Sequence, residues 1–395
     1  MKKHDVFIAV PVLLLALCLI LGACKDSETV LPNQTPAASD FEIGNLAQIM
    51  GNGVTAVTVT PLAGKSPGAV TVYYNGDTEI PQALGRYAVT FDVAEAKGWD
   101  AADGLSAGIL IVSLVEMVWV PGGSFQMGDT TGGGYSDEQP AHQVTLTAGF
   151  YMGKYEITQA QWLEVIGLLP NSLVTGPNNF GRGDNFPVYS VSWYDALVFC
   201  NWLSMLEGLT PVYRIGNSTN PLDWLEWGPI PATATSGGLA VWNAVEVVSG
   251  AAGYRLPTEA QWEYAAKGGN GSPGNYAYSG SNTPNDVAWY EGNNGGSGSS
   301  NYRSKEVGTK EPNGLGLYDM SGNVSEWCWD LRGYAANYPT EPQTDPMGED
   351  LVYYAARRHR GGSWSNFALD IRSSKRNSND PYTRNDAVGF RIARF

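Results

Sequence analysis

Tyr254-Arg255-Leu256-Pro257-Thr258-Glu259-Ala260-Gln261-Trp262-Glu263-Tyr264-Ala265 is the stretch on which the fold turns. Pro257 stops whatever precedes it, and Thr258 is answered three residues later by Gln261. This is the reciprocal pairing of a capped helix start. Gly268-Gly269 closes the segment. The same signature recurs at Thr158 with Gln161 and at Ser192 with Asp195. In the second of these, Ala196, Phe199, Cys200 and Leu203 fall on one face at helical spacing, and Gly208 ends the run. No other helix announces itself between about Val115 and Phe395. The remainder reads as short strands and long glycine-rich loops, an α+β domain with little regular secondary structure. Loops on that scale need anchors. The tryptophans, among them Trp119, Trp162, Trp193, Trp262, Trp289, Trp327 and Trp364, are expected to supply them by burial.

Upstream the pattern changes. Ala56–Thr60, Ala69–Tyr74 and Tyr87–Val93 alternate as strands, with a tight turn at Asn75-Gly76 and a closing strand at Ile109–Val112. Residues 41–113 are expected to form a small all-β immunoglobulin-like module that serves as a spacer. Residues 24–40 read as a tether. Residues 1–23 read as a signal peptide: Lys2, Lys3 and His4, an apolar run from Val6 to Leu21, then Leu21-Gly22-Ala23-Cys24. The ending resembles a bacterial lipobox, in which Cys24 is acylated. The expectation is a lipid-anchored protein of the cell envelope, at the outer membrane or the cell surface.

A net charge of −15 argues against a nucleic-acid partner, which needs a basic face. The acidity suits the solubility of an exposed envelope protein. Of the four cysteines, Cys18 leaves with the signal and Cys24 carries lipid. Export would permit a disulfide between Cys200 and Cys328. Their apolar aromatic surroundings favour two buried free thiols.

Six ordered phrases now carry a family resemblance. They are Val118–Gly128, Tyr151–Thr158, Tyr254–Ala265, Asn313–Asn323, Arg360-Gly361-Gly362-Ser363-Trp364 and Gly389-Phe390-Arg391. In this order and spacing, residues 115–395 resemble the formylglycine-generating enzymes, or sulfatase-modifying factors. The resemblance implies a variant of the C-type lectin fold. It also implies two copper-binding cysteines shortly after Gly-Gly-Ser, where this chain has Asn366 and Ile371. An amide and a hydrocarbon supply no thiolate ligand, so no copper and no family oxidation are expected. Ser325 stands where the family usually has tryptophan. His142 reads as an ordinary loop or strand residue, and His359 lies among Arg357, Arg358 and Arg360, where a metal cation is repelled. The resemblance further implies a structural calcium held by the side chains of Asp319 and Glu326 and the carbonyls of Gly322 and Val324. These are all oxygen donors, as a hard cation requires. The other reading of Asp319 and Glu326 is that they simply cap or hydrogen-bond their own loop.

The C-terminal segment suggests binding. Ser365–Ile371 and Asn377–Ala387 mix polar and large apolar residues without periodicity, between fixed-looking pieces. This resembles the variable proteins of diversity-generating retroelements, which display a diversified ligand surface on the same fold. Mutagenesis of asparagine codons at adenine does not readily yield Lys, Glu, Gln, Met or Trp, and neither window contains any of them. The other reading is a pair of ordinary surface loops. The expected ligand-binding positions are Asn366, Phe367, Leu369, Asp370, Ile371, Asn379, Asp380, Tyr382 and Asn385, with Trp364 and Phe390 buried as scaffold. The partner would be a protein or glycan at the cell surface. The competing function is an oxidase with a rebuilt metal site.

Overall fold

The three capping boxes close as the sequence implies. In the computed structural model, which describes residues 32–170, 180–271, 275–333, 337–348 and 356–395, Thr158 Oγ1 accepts from the Gln161 amide at 3.2 Å while Gln161 returns a carbonyl to the Thr158 amide at 3.0 Å. Ser192 with Asp195 and Thr258 with Gln261 repeat the exchange. Each such cap is worth about 1 kcal/mol. In chain order the helices are α1 (Gln159–Ile166), α2 (Trp193–Leu206), α3 (Pro221–Trp224), α4 (Leu239–Asn243), α5 (Glu259–Ala266) and α6 (Pro284–Val287). The single turns α3 and α4 lack a sequence signal strong enough to predict, yet they bring Trp224 and Trp242 into complete burial.

The N-terminal module holds β1 (Phe41–Gly44), β2 (Ala47–Ile49), β3 (Thr58–Pro61), β4 (Val70–Tyr74), β5 (Gly85–Val93) and β6 (Ala102–Ser113). They form a four-stranded sheet in the order β2-β6-β5-β4 and a two-stranded pair β1-β3. Both pack on one cluster around Phe41, Val89, Phe91 and Leu110. Asn75 and Gly76 both carry positive φ, as the turn after β4 requires. Glu207, at the end of α2, joins the module to the rest. It accepts from the Leu114 amide, the Ser113 hydroxyl and the Tyr254 hydroxyl.

The larger domain has β7 (Met117–Val120), β8 (Gly123–Met127), β9 (His142–Leu146), β10 (Phe150–Gly153), β11 (Tyr213–Arg214), β12 (Glu246–Val247), β13 (Ser325–Leu331), β14 (Gln343–Thr344), β15 (Arg357–Arg360), β16 (Arg376–Asn379), β17 (Val388–Gly389) and β18 (Ala393–Arg394). They make small sheets: β18-β10-β7, β14-β9-β8, β11-β12 and the four-stranded β16-β15-β13-β17. One core gathers on α2 and another on α5. Trp162, Trp193, Trp262, Trp327 and Trp364 are buried anchors. Trp119 is not: it is 49% exposed on β7, lying against Tyr151. Its side chain points away from the core because its neighbours Val120 and Val118 face inward. Trp289 is half-buried. Cys200 and Cys328 are buried free thiols, and burial pushes both well above the usual thiol range. Among the described residues no helix is long and apolar enough to cross a membrane. The apolar run Val6 to Leu21 and Cys24 lie outside the described residues.

Candidate functional site

The C-terminal loop begins at two glycines in the left-handed region of backbone space. Gly361 and Gly362 have φ of 87° and 65°, and a Cβ on Gly362 would stand 2.5 Å from the Asp370 carbonyl. The chain therefore doubles back at this point, and Trp364 drops into a cluster with Tyr189 and Val324. Phe180 stacks on it at 5.0 Å and Tyr302 meets it edge-on at 4.9 Å. Phe390 is fully buried on α1 and α2 against Trp162 and Phe199. Both scaffold expectations hold.

Between these anchors the expected surface residues divide. Phe367, just before a 3₁₀ turn over Ala368–Ile371, is 65% exposed, and Leu369, within that turn, is 43% exposed. Asp370 accepts from the Tyr135 hydroxyl at 3.0 Å. Ile371 faces the opposite way and is fully buried with Val287 and Ala288, so its expected exposure is corrected. The turn puts residues 369 and 371 on different faces, and the inner one fills the gap behind α6. Asn366 is half-buried and faces its own loop: its side-chain carbonyl accepts from the Ser363 amide and hydroxyl. Further on, Asp380 and Asn385 are exposed, and Asn379 is half-buried in the ladder opposite Arg357. Tyr382 packs partly on the α2 core and donates to Asp380 at 2.7 Å, which pushes its pKa up. The two stretches lean on different neighbours. Residues 366–371 lie beside Tyr135 and Glu291, whereas 380–386 lie beside Ser190 and the start of α2.

Under this loop is a buried charge cluster. Glu326, on β13, accepts from Arg391 Nη2 through Oε1 and from Arg391 Nε and Trp262 Nε1 through Oε2, each within 2.6 Å. Glu156 accepts from the Asn323 side-chain amide and the Val324 amide. Asp319, with φ of 56°, accepts from the Gly308 amide through Oδ2, while its Oδ1 is buried without a hydrogen-bond partner among the described residues. Three carboxylates thus face one guanidinium. Burial, then the charges of Asp319 and Glu326, push Glu156 far above the usual carboxylate range. Burial likewise pushes Asp319 up to about 6. Of the side chains expected to hold calcium, Asp319 keeps one oxygen without a described partner, whereas Glu326 is spent on Arg391 and Trp262. Among the described residues no group of three or more His, Cys, Asp or Glu side chains could hold a metal ion.

The Sulfatase-modifying factor enzyme 1-like domain family matches residues 111–395, well over half of the sequence. The chain belongs to this family. Among curated relatives, Chaperone protein LppX of Paenibacillus barcinonensis is 39% identical over 266 residues, covering 63% of this chain and 78% of that protein. The Formylglycine-generating enzyme of Streptomyces coelicolor is 30% identical over 305 residues, covering 70% and 88%. Among solved structures, Treponema denticola variable protein 1 is 34% identical, with a TM-score of 0.55 over 70% of this chain and 94% of that one. The formylglycine-generating-enzyme fold inferred from the six phrases is therefore the fold of residues 111–395.

The two positions that the resemblance matches to the enzymes' cysteines are engaged elsewhere in the fold. Asn366 ties the Ser363 turn and Ile371 packs behind α6. Ser325, in the tryptophan position, is buried and donates its amide to Ala387. His142 begins β9, and burial lowers its pKa. His359 is held down at about 3 by burial and by Arg358, Lys375 and Arg360.

Two contributors escaped the sequence reading. Tyr135 is 38% exposed beside Asp370, with Lys375 3.7 Å over its ring. Arg372 is clamped by Glu138 through both terminal nitrogens, which fixes the end of the 3₁₀ turn. Tyr135 and Glu138 lie more than 230 residues from their partners, and no local periodicity marks either one.

Proposed function

We propose that this chain is a ligand-recognition protein that presents its C-terminal loops from a formylglycine-generating-enzyme scaffold at the cell envelope. One observation carries the reading. Around the enzymes' cysteine positions the backbone is rigidly held, while Phe367 and Leu369 point into solvent with no covering element among the described residues. Exposed apolar side chains on a fixed loop are a common mark of a binding surface, and aromatic ones dominate binding energy when covered. The likeness to a Treponema denticola variable protein supports the same reading, with the diversified positions being Phe367, Leu369, Asp370, Asn379, Asp380, Tyr382 and Asn385. The LppX relative is named as a chaperone, which favours a protein ligand over a glycan. The reading includes a lipid anchor at Cys24, supported by the Leu21-Gly22-Ala23-Cys24 ending. Cys24→Ala is expected to leave the precursor unprocessed or release it from the membrane fraction.

The deciding experiment is to sequence the gene and its downstream DNA from several isolates. Differences concentrated at codons for 366–385, beside a template repeat and a reverse transcriptase gene, are the expected outcome. Differences scattered evenly over residues 115–395 would sink the reading. The likeness to the Streptomyces coelicolor enzyme favours a second reading, an oxidase with a rebuilt site. Conversion of a sulfatase-derived cysteine peptide to its aldehyde, with copper and oxygen and above a no-enzyme control, would establish it.

A further inference from the structure

Away from the loop surface, β15 and β16 carry more positive charge than their surroundings balance. Glu259 alone faces three guanidiniums, Arg376 at 2.7 Å, Arg360 at 3.4 Å and Arg358 at 3.7 Å. Glu263 is already shared between Arg360 and Lys267. Asp330, the next carboxylate, is pushed up to about 7 by burial and by Glu259, so it carries only part of its charge near neutral pH. Arg358 is the residue left over. It is 3% exposed and its side chain makes no hydrogen bond to any described residue; the ion pair of its Nε with Glu259, at 3.7 Å, is shared with Arg360 and Arg376. A buried guanidinium without close hydrogen bonds is costly to the fold.

Arg358 opens into a cavity of about 250 Å³ that it lines with Arg332, Lys375, Arg376, Asn377 and Ser378. Arg332 and Lys375 form no ion pair with a described residue. One acid, Asp137, is also in the wall, and its backbone carbonyl holds Arg376 Nη1 at 3.2 Å. In a chain of net charge −15, four cations line this one cavity; Arg376 is held by Glu259 and Lys375 lies over the Tyr135 ring, which leaves Arg358 and Arg332 with the least compensation.

We propose that this cavity binds a tetrahedral oxyanion, a phosphate or sulfate group, with Arg358 as its inner ligand and Arg332 and Lys375 at its rim. The inner arginine offers a planar set of donors suited to such oxygens. Asn377 and Ser378, neutral residues of β16, complete the lining. This assignment stands apart from the loop-display reading, because Phe367 and Leu369 take no part in it.

The test is calorimetric titration of the full chain with inorganic phosphate, inorganic sulfate and glucose 6-phosphate, against chloride at matched ionic strength. Saturable binding of phosphate or sulfate is expected. A monoester bound as tightly as the free ion would mean that the group is recognised on a larger ligand, and a preference for the free ion would mean a simple anion site. Arg358→Gln should weaken binding about tenfold or more, the scale of one lost charged hydrogen-bond pair. Should that variant fail to fold, Arg332→Gln with Lys375→Gln should weaken binding and flatten its salt dependence. Phe367→Ala should leave anion binding unchanged, which separates this site from the display surface. No binding beyond chloride, or equal binding by wild type and rim variant, overturns the proposal.

Discussion

Asn366 and Ser363 are tied to one another twice, the asparagine side-chain carbonyl accepting from the serine amide at 2.9 Å and from its hydroxyl at 2.8 Å. A residue in the position of a family cysteine is thus the clasp of a tight turn. Asn366→Ala should lower stability by about 1–2 kcal/mol, because it strands the Ser363 amide. Chemical denaturation measures this. An unchanged unfolding midpoint would mean that the turn is held by Gly361 and Gly362 alone.

The loop should separate cleanly into scaffold and surface. Phe367→Ala and Leu369→Ala are expected to change stability by no more than about 0.5 kcal/mol each. Trp364→Ala should cost about 3–5 kcal/mol and Ile371→Ala about 2–5 kcal/mol, since both remove side chains from packed clusters. Comparable losses at Phe367 and Ile371 would make the whole loop a packing element.

Much of this was legible in the sequence, for identifiable reasons. Capping boxes act within three residues, so Thr158, Ser192 and Thr258 announced their helices. The phrase Gly361-Gly362-Ser363-Trp364 marked the scaffold with Trp364 buried. What stayed hidden were contacts made between distant segments. Ile371 looks like its neighbour Leu369 until α6 is seen behind it. Arg357-Arg358-His359-Arg360 reads only as positive charge that repels a cation, and its place as a buried strand answered by glutamates on α5 is visible in the structure alone. Glu326 reads as an oxygen donor for a cation, yet Arg391 reaches it from 65 residues away.

The cluster of Glu156, Asp319 and Glu326 gives a direct cation test. Calcium is expected to raise the melting temperature, with Asp319→Asn removing the increment, because Asp319 Oδ1 is the free oxygen there. Thermal melts in calcium and in chelator measure both. No shift at saturating calcium would mean that protons rather than a metal neutralise the surplus, as the raised Glu156 and Asp319 already permit.

Asp330 sets a pH dependence whose sign follows from its surroundings. Burial and the adjacent Glu259 raise it to about 7 from an ordinary 3.8. The folded state therefore holds a proton that the unfolded chain releases between those values. Where the folded state binds more protons, stability falls as pH rises. The neutral form's contribution is present below about pH 4 and is lost as pH climbs through 7. Asp330→Asn keeps an oxygen for the Glu259 amide, which now donates to Asp330 Oδ2 at 2.6 Å, and removes the titration. Relative to wild type, the variant should gain about 2 kcal/mol between pH 5 and pH 8, each unit of raised pKa being worth about 1.4 kcal/mol. Denaturant unfolding at the two pH values measures the gain. A constant difference between the proteins would show that Asp330 keeps its charge in the fold, with Arg358 and Arg376 as its counterions, and the oxyanion cavity beside it would then be less positive than inferred.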